Sequence, residues 1–401
     1  MAKTAKQAIT AAIAAAFAAA ATAFAAPARQ VIHISKEGAA KDSVRFDLRP
    51  GPGVPAEYVH SLRRNIEISG CFTISPNGAV RIQSEGGQVV ARGHGRMLNA
   101  PVRPGDAEAV RRQARAFSDA LVREFAGAKG FADSRIAFVR KIGTDNAEIY
   151  TCYPDGMDVK RITADKRAAV GPRWHPDAST VFYTGFLRGT PLVYILDLAR
   201  NTRKPLANFK GLATGAAIAP DAGSCAIILS FQGNPELYRL DLRTSRLRRM
   251  TRTRDGAEAS PCWSPDGSQI AFVTDTTRHP QIYVLPAGAD SRARPRRLTS
   301  RGSQNVNPDW GPGGRIAYAT QRGGQWYIAV MDAASGDSSA KLVTGPGTWE
   351  HPSWAPDGRH IVASRDGALW IIDTEGDPPQ RVFNAPGNWT SPDWSRSRGG
   401  R

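Results

Sequence analysis

The chain has 401 residues, enough for two or three domains, and its 41% hydrophobic and 22% charged residues are those of a globular protein rather than a disordered one. The formal net charge is +17, from 53 Lys+Arg against 36 Asp+Glu. This charge leaves three interpretations open: a nucleic-acid partner, an anionic envelope surface, or an arginine-rich composition with no specific partner.

The first 25 residues have the layout of a secretory signal peptide. Lys3 and Lys6 precede an uncharged, alanine-rich stretch from residue 8 to 28, and Ala23 and Ala25 are small residues at the −3 and −1 positions of a cleavage site before residue 26. The alternative is a membrane anchor, since about 20 apolar residues can span a bilayer. Alanine is only weakly hydrophobic, which favours cleavage. Export excludes genomic DNA as a partner, so we expect no nucleic-acid binding.

Residues 26–131 carry no repeat and are expected to form a small α/β domain. Strands are predicted at 31–34, 44–48, 80–82 and 89–91 from short runs of apolar and β-branched residues. A first helix is predicted from Pro55 to Ile68, and Gly70 can end it.

A second helix is predicted from its apolar spacing. Asp106 can cap its first turn, and apolar side chains then recur every three or four residues, at Val110, Ala114, Phe117, Leu121 and Phe125. Residues 127–133 are expected to link this domain to the rest of the chain.

Residues 132–401 contain a repeat with a period of 40 to 47 residues, built on a Trp-x-Pro-Asp-Gly motif. Pro, Asp and Gly favour a turn after the tryptophan, and three short alternating strands follow in each unit. Four strands per unit at this spacing predict the blades of a β-propeller. The anchor residues are Trp174, Ile218, Trp263, Trp310, Trp354 and Trp394.

The two ends of the repeat region predict how the ring closes. The first set of three strands, beginning near Arg135, has no tryptophan strand before it, and Ser391–Ser395 has no strands after it. One incomplete unit at each end makes one blade. The expected fold class is therefore mainly β: a six-bladed propeller, closed by the C-terminal strand and preceded by a small α/β domain.

Arginine is concentrated at the ends of two neighbouring repeats. We expect both clusters on outer strands, where positive charge discourages edge-to-edge pairing; contact with an anionic surface such as lipopolysaccharide is the alternative. The clusters are Arg243, Arg246, Arg248, Arg249, Arg252 and Arg254 in one repeat, and Arg292, Arg294, Arg296, Arg297 and Arg301 in the next.

The four cysteines form no CxxC pair, which argues against a metal site. Buried thiols or one disulfide remain open for Cys71, Cys152, Cys225 and Cys262. We predict no cofactor and no metal.

The order of signal peptide, α/β domain and six-bladed ring resembles the TolB family of the Tol-Pal envelope system, over residues 43 to 395. Local matches are the segments 51–53, 68–72, 131–139, 302–305 and 391–395. Two features depart from the family: the stretch between Phe72 and Arg103 is shorter, and the basic charge is unexpected.

The resemblance implies a monomeric periplasmic scaffold, peripheral to the membranes, that supports outer-membrane integrity and constriction at cell division. It implies that loops before the tryptophan strands bind the lipoprotein Pal and that the N-terminus binds TolA. The corresponding Pal-facing residues are Val170, Glu258, Asn305, Asn307, Glu350, His351, Asn388 and Trp389. The corresponding TolA-facing residues are Gln30, Val31, Ile32, His33 and Ile34.

Enzymatic alternatives find little support in the motifs. Similar propellers accompany the serine hydrolases of the prolyl oligopeptidase group, but the sequence contains no G-x-S-x-G elbow. The seven histidines form no H-x-x-x-H pair, and Glu350–His351 fits a turn or interface better than a catalyst. We therefore predict no enzymatic activity and no catalytic residues. The alternative is a propeller that binds or cleaves an anionic envelope carbohydrate.

Overall fold

The computed structural model describes residues 41–396, apart from residues 52, 208, 210 and 232. The predicted signal peptide and the predicted TolA-facing residues Gln30, Val31, Ile32, His33 and Ile34 lie outside the described residues.

The N-terminal part is an α/β sandwich with two helices on a five-stranded sheet. Its strand order is β2-β1-β3-β4-β5, with β2 and β3 parallel to β1 and the rest antiparallel. The elements are β1 (Asp42–Phe46), α1 (Ala56–Ile68), β2 (Phe72–Ile74), β3 (Val80–Glu85), β4 (Gln88–Gly93), β5 (Arg96–Pro101) and α2 (Ala107–Ala126).

Both helices form where the sequence predicts them. Asp106 accepts a hydrogen bond from the Ala109 amide at 2.8 Å and caps α2, and Gly127 ends it in the left-handed region at φ 63°. Strands β2 and β5 were not predicted, because β2 has three residues and β5 is a largely exposed edge strand. The predicted domain boundary at residues 131 and 132 stays a prediction; it falls between α2 and the next strand.

The rest of the described chain forms six four-stranded antiparallel sheets arranged as propeller blades, which confirms the predicted fold class. Each blade runs from an inner to an outer strand. Blade 2 has β9 (Ala169–Trp174), β10 (Thr180–Gly185), β11 (Leu192–Asp197) and β12 (Thr202–Pro205). Blade 3 has β13 (Ala213–Ile218), β14 (Ser224–Leu229), β15 (Glu236–Asp241) and β16 (Leu247–Arg249).

The remaining blades follow in chain order. Blade 4 has β17 (Glu258–Trp263), β18 (Gln269–Thr274), β19 (Gln281–Pro286) and β20 (Arg296–Arg297). Blade 5 has β21 (Gln304–Trp310), β22 (Arg315–Arg322), β23 (Gln325–Asp332) and β24 (Lys341–Leu342). Blade 6 has β25 (Glu350–Trp354), β26 (His360–Arg365), β27 (Ala368–Asp373) and β28 (Gln380–Arg381).

Blade 1 joins the two ends of the propeller region. Its three outer strands come first in the chain, and its inner strand comes last: β6 (Ile136–Lys141), β7 (Ala147–Cys152), β8 (Lys160–Arg161) and β29 (Asn388–Trp394). Trp394 pairs with Ile136 and Asn388 with Lys141 across the closing ladder. The C-terminal strand therefore closes the ring, as the incomplete repeats predict.

The α/β domain is fixed to blades 1 and 6 by a buried polar cluster. The Arg115 guanidinium, with none of its side chain exposed, donates to Asp155 at 2.9 Å and to Asp158 at 2.7 Å and lies 3.6 Å from the Tyr153 ring centroid. The Ser61 hydroxyl also donates to Asp155, at 2.7 Å. On blade 6, Arg359 donates to the Gly70 carbonyl at 3.0 Å.

All four cysteines are free thiols in the structure, and three of them are buried. Burial raises the pKa of the Cys225 and Cys262 thiols to about 12. None of the helices among the described residues is long and apolar enough to cross a membrane.

Candidate functional site

The ring has two faces, which we name after the ends of its inner strands. The strand-start face carries the first residues of these strands: Ala169, Ala213, Glu258, Gln304, Glu350 and Asn388. The tryptophan face carries their last residues: Trp174, Ile218, Trp263, Trp310, Trp354 and Trp394. The contacts of the α/β domain described above fall on turns of the tryptophan face, so the strand-start face is free of that domain.

The predicted Pal-facing residues lie at the strand-start face, but in strands rather than in loops. Val170 is in β9, Glu258 in β17, Asn305 and Asn307 in β21, Glu350 and His351 in β25, and Asn388 and Trp389 in β29. The expectation of loops was wrong because each inner strand contains a β-bulge. Pairing with the second strand continues on both sides of that bulge, so each strand begins earlier than the motif indicates.

The bulge places one residue of every inner strand in the left-handed region. This residue lies three positions before each anchor residue, with φ between 48° and 62°, and five of the six are followed by proline. Four of the six are not glycine, although this conformation costs such residues about 1 kcal/mol or more. The six are Gly171, Gly215, Ser260, Asn307, His351 and Ser391.

Three of the eight predicted contact residues are buried, which corrects the expectation that their side chains face a partner. Asn305 is fully buried and donates to the Gln281 side chain and the Arg301 carbonyl, both at 2.8 Å. Trp389 packs edge-on against Phe138, with ring centroids 5.5 Å apart.

Glu258 is the third buried residue. Its carboxyl group lies beside that of Glu236, which accepts hydrogen bonds from the Arg249 guanidinium at 2.9 Å and the Thr251 hydroxyl at 2.6 Å. Burial, followed by the charge and hydrogen bonding of Glu236, raises the pKa of Glu258 to about 8. Burial between blades 3 and 4 and the nearby Glu236 carboxylate therefore favour the protonated form of Glu258 at neutral pH.

The remaining predicted residues are partly or fully accessible. Asn388 is exposed, and Val170, Asn307, Glu350 and His351 are half-buried. The His351 and Glu350 side chains lie 3.8 Å apart. Burial, with the positive charges of Arg173 and Lys141, lowers the pKa of His351 to about 4, so this imidazole is neutral at pH 7. These five residues are thus weakly charged, whereas the loops that lead into the inner strands of blades 4 and 5 carry Arg252, Arg254 and Arg301.

The tryptophan face holds a cavity of about 310 Å³ at the ring axis that the sequence analysis did not predict. Four indoles line it, together with the ion pair of Arg173 and Asp393 at 2.8 Å and that of Arg396 and Asp309 at 2.7 Å. One sequence feature could have indicated this polar cavity: the residue before the anchor is charged in three of the six repeats.

The two carboxylates that line this cavity, Asp309 and Asp393, already accept hydrogen bonds that hold neighbouring blades together. Besides its arginine, Asp393 accepts the Trp174 amide and Asp309 accepts the Trp354 amide, each at 2.7 Å. Across residues 41–396, as far as they are described, no three His, Cys, Asp or Glu side chains are grouped so as to hold a metal ion.

Comparison with known proteins identifies a matching family and several similar proteins. A family model described as the TolB beta propeller domain matches residues 122–398. The chain is 30% identical over 215 residues to the Tol-Pal system protein TolB of Bordetella pertussis and 32% identical over 215 residues to that of Bordetella parapertussis. Each alignment covers 53% of this chain and 48% of the relative, so the chain spans about half the length of the curated relatives it matches.

Solved structures named as TolB also resemble this chain. The structure of TolB from Acinetobacter baumannii superposes with a TM-score of 0.75 at 25% identity, over 90% of this chain and 97% of that chain. A putative TolB from Agrobacterium tumefaciens, at 20% identity and a TM-score of 0.52, covers 63% of this chain and 90% of that chain and shows a shared fold alone.

Proposed function

The chain belongs to the TolB β-propeller family, and from this membership we propose that it is a non-enzymatic, protein-binding scaffold of a Tol-Pal envelope system. The observation that carries the proposal is the family match over residues 122–398, which spans all six blades. The curated relatives are named as Tol-Pal system proteins. We place the protein in the periplasm, as a monomer peripheral to the membranes, with a role in outer-membrane integrity and cell division.

The strand-start face is the proposed binding surface for the Pal lipoprotein. The α/β domain leaves this face open, and the accessible predicted residues on it are mostly polar and weakly charged, as on many protein-binding surfaces. The six left-handed residues near the ring axis support the same assignment, because backbone strain concentrates at binding sites. Asn307, Glu350, His351, Asn388 and Val170 are the predicted residues whose side chains can reach a partner there.

TolA is the second proposed partner. This proposal rests on the family resemblance and on the predicted strand at Val31–Ile34, whose β-branched apolar residues suit pairing with another sheet.

The axial carboxylates support a scaffold over a carbohydrate-cleaving enzyme. A glycosidase needs two carboxyl groups free to act as acid and base. Asp309 and Asp393 each hold an arginine and a backbone amide, and these bonds fix them as structural acceptors.

Titration calorimetry of residues 26–401 against the soluble domain of Pal from the same organism tests the proposal. A 1:1 complex of micromolar affinity or better is expected. The double variant Ala259→Arg/Asn388→Arg changes two exposed residues of the strand-start face and should weaken binding at least roughly tenfold. The matched control, Ala199→Arg/Ala334→Arg, adds the same charge at exposed turns of the opposite face and should bind normally.

The outcomes test the binding surface and the identity of the partner separately. Equal loss of affinity in both double variants would reject the strand-start face as the binding surface. Absence of binding by the unmodified chain at roughly 100 micromolar would reject the Pal assignment itself.

A further inference from the structure

Positive charge is concentrated on one side of the ring. Residues 236–301, from the third strand of blade 3 to the end of blade 4, contain thirteen arginines, no lysine and seven acidic residues. Residues 315–387, which form most of blades 5 and 6, contain six basic and eight acidic residues. Positive charge is therefore densest in blades 3 and 4, and such an asymmetry orients a molecule toward an anionic surface.

Ten exposed arginines of this basic side border the outer strands β16 and β20, and we call them the arginine rim. Blade 3 contributes Arg243, Arg246, Arg248, Arg252 and Arg254. Blade 4 contributes Arg292, Arg294, Arg296, Arg297 and Arg301.

Cross-blade hydrogen bonds fix two members of the arginine rim in equivalent positions. Arg248 donates to the Gly288 carbonyl of blade 4 at 2.9 Å, and Arg296 donates to the Ala333 carbonyl of blade 5 at 3.1 Å. These two side chains are thereby held along the outside of the ring, at the same place in successive blades. Neighbouring sheets pack about 10 Å apart, so the two rows of arginines form one surface.

Four other members of the arginine rim have no side-chain partner among the described residues. The side chains of Arg246, Arg252, Arg294 and Arg301 make no hydrogen bond or ion pair with any of the residues described. Their guanidinium groups therefore remain available to an external partner that supplies acceptor oxygens and negative charge.

Edge protection alone does not account for ten arginines. The outer strands themselves carry at most two basic residues in every blade, and these suffice to interrupt edge pairing. The further arginines of blades 3 and 4 lie in the turns and loops that flank β16 and β20. The excess on blades 3 and 4 consists entirely of arginine, whose planar fork binds phosphate oxygens in pairs, whereas lysine offers a point charge.

We propose that the arginine rim docks the propeller onto a membrane surface by binding the phosphate groups of anionic lipid headgroups. Each arginine near such a surface contributes roughly a fivefold gain in affinity at moderate salt, so several together suffice for reversible binding. The docking is peripheral, and it engages the outer strands of blades 3 and 4 together with the turns and loops that flank them. This inference stands independently of the Pal assignment.

Co-sedimentation of residues 26–401 with vesicles tests the proposal. The protein should bind vesicles of phosphatidylcholine mixed with phosphatidylglycerol and should not bind vesicles of phosphatidylcholine alone. Raising the ionic strength should release it, because exposed charges are screened by salt.

A pair of matched variants locates the surface. The rim variant Arg246→Gln/Arg252→Gln/Arg294→Gln/Arg301→Gln should lose vesicle affinity roughly a hundredfold or more. The control variant Arg49→Gln/Arg103→Gln/Arg123→Gln/Arg188→Gln removes the same charge from exposed sites outside the arginine rim and should lose no more than roughly threefold. Both sets of side chains are exposed, so both variants should fold.

Three results would overturn the proposal. They are equal loss of affinity in the two variants, binding of phosphatidylcholine vesicles as tightly as anionic ones, and binding of a soluble polyanion such as heparin without binding of anionic vesicles. The last result would assign the arginine rim to a polyanionic chain instead.

Discussion

The carboxylate of Asp393 accepts a hydrogen bond from the backbone amide of Trp174, at 2.7 Å, across 219 positions of sequence. The same bond recurs between other neighbouring blades, from the Trp354 amide to Asp309 at 2.7 Å and from the Trp394 amide to the Ser353 hydroxyl at 3.0 Å. In these three places, the side chain before one anchor accepts a hydrogen bond from the anchor amide of the next blade. Ala217 and Arg173 carry no such acceptor, so both interfaces of blade 3 are made without this bond.

Replacing Asp393 by alanine should weaken closure of the ring. The change removes acceptors for the Trp174 amide and for Arg173, and we expect the free energy of unfolding to fall by about 2 kcal/mol. Urea denaturation followed by tryptophan fluorescence measures it. Asp221→Ala, which removes a single turn bond to the Gly223 amide at an exposed site, is the control and should cost less than half as much. Equal losses would contradict a special role for the closing contact.

Arg115→Ala should separate the stability of the two domains. It leaves the carboxylates of Asp155 and Asp158 without their buried cation, and we expect a loss of about 3 kcal/mol. All nine tryptophans lie in the propeller, and both α-helices of the described chain lie in the α/β domain, so fluorescence and far-ultraviolet circular dichroism report the domains separately. The two transitions should coincide in the unmodified protein, and the helical one should come first in the variant.

The control for this change is Arg111→Ala, at a partly exposed arginine that pairs with Asp158 alone. It should lower stability by about 1 kcal/mol. Coincident transitions in Arg115→Ala would show that the cluster does not join the domains.

Protonation of Glu258 predicts a pH dependence of stability. Its folded-state pKa of about 8 lies above its ordinary value of 4.5, so the folded state binds this proton more tightly than the unfolded state. The resulting stabilisation is fully present below about pH 4.5 and is lost as the pH rises through about 8. Glu258→Gln keeps a neutral donor beside Glu236 and should remove this part of the dependence.

Urea denaturation of both proteins at about pH 5 and about pH 8 checks this prediction. Between these values the unmodified protein should lose on the order of 3 kcal/mol more than Glu258→Gln does. Glu148→Gln, at a buried carboxyl group that accepts bonds from Thr163 and two backbone amides, is the control and should not flatten the profile. Parallel profiles for the unmodified protein and Glu258→Gln would refute the raised pKa.

Gly311→Ala should strain the contact between blades 5 and 6. A methyl group at Gly311 would lie 2.4 Å from the Trp354 ring, although its backbone φ of −90° suits any residue. Overpacking of this kind costs about 2 kcal/mol. Gly143→Ala, which meets no atom within 4 Å, should be neutral. A thermal shift equal to that of the control would mean that Trp354 moves aside without cost.

Much of the fold could be predicted from short-range patterns. The turn-forming Pro-Asp-Gly triplets and alternating strands define the blades locally, and the incomplete units at Ile136–Cys152 and Ser391–Trp394 predict closure because a ring alone can join them. The helices followed from apolar spacing and the Asp106 cap. The edge strand β5 was missed because most of its residues are exposed and the adjacent apolar residues Met97 and Leu98 hide its alternation.

The candidate site depended on contacts that no local pattern reveals. Repeat spacing and alternation were enough to predict the six anchors and the order of the strands, because both are local patterns. The fold alone buries Glu258, Asn305 and Trp389 and exposes Asn388, since burial depends on neighbouring blades that are distant in sequence. It also brought Asp393 to Trp174 and Arg115 to Asp155, because charge pairs between separate elements form only when the ring closes and the α/β domain packs on it.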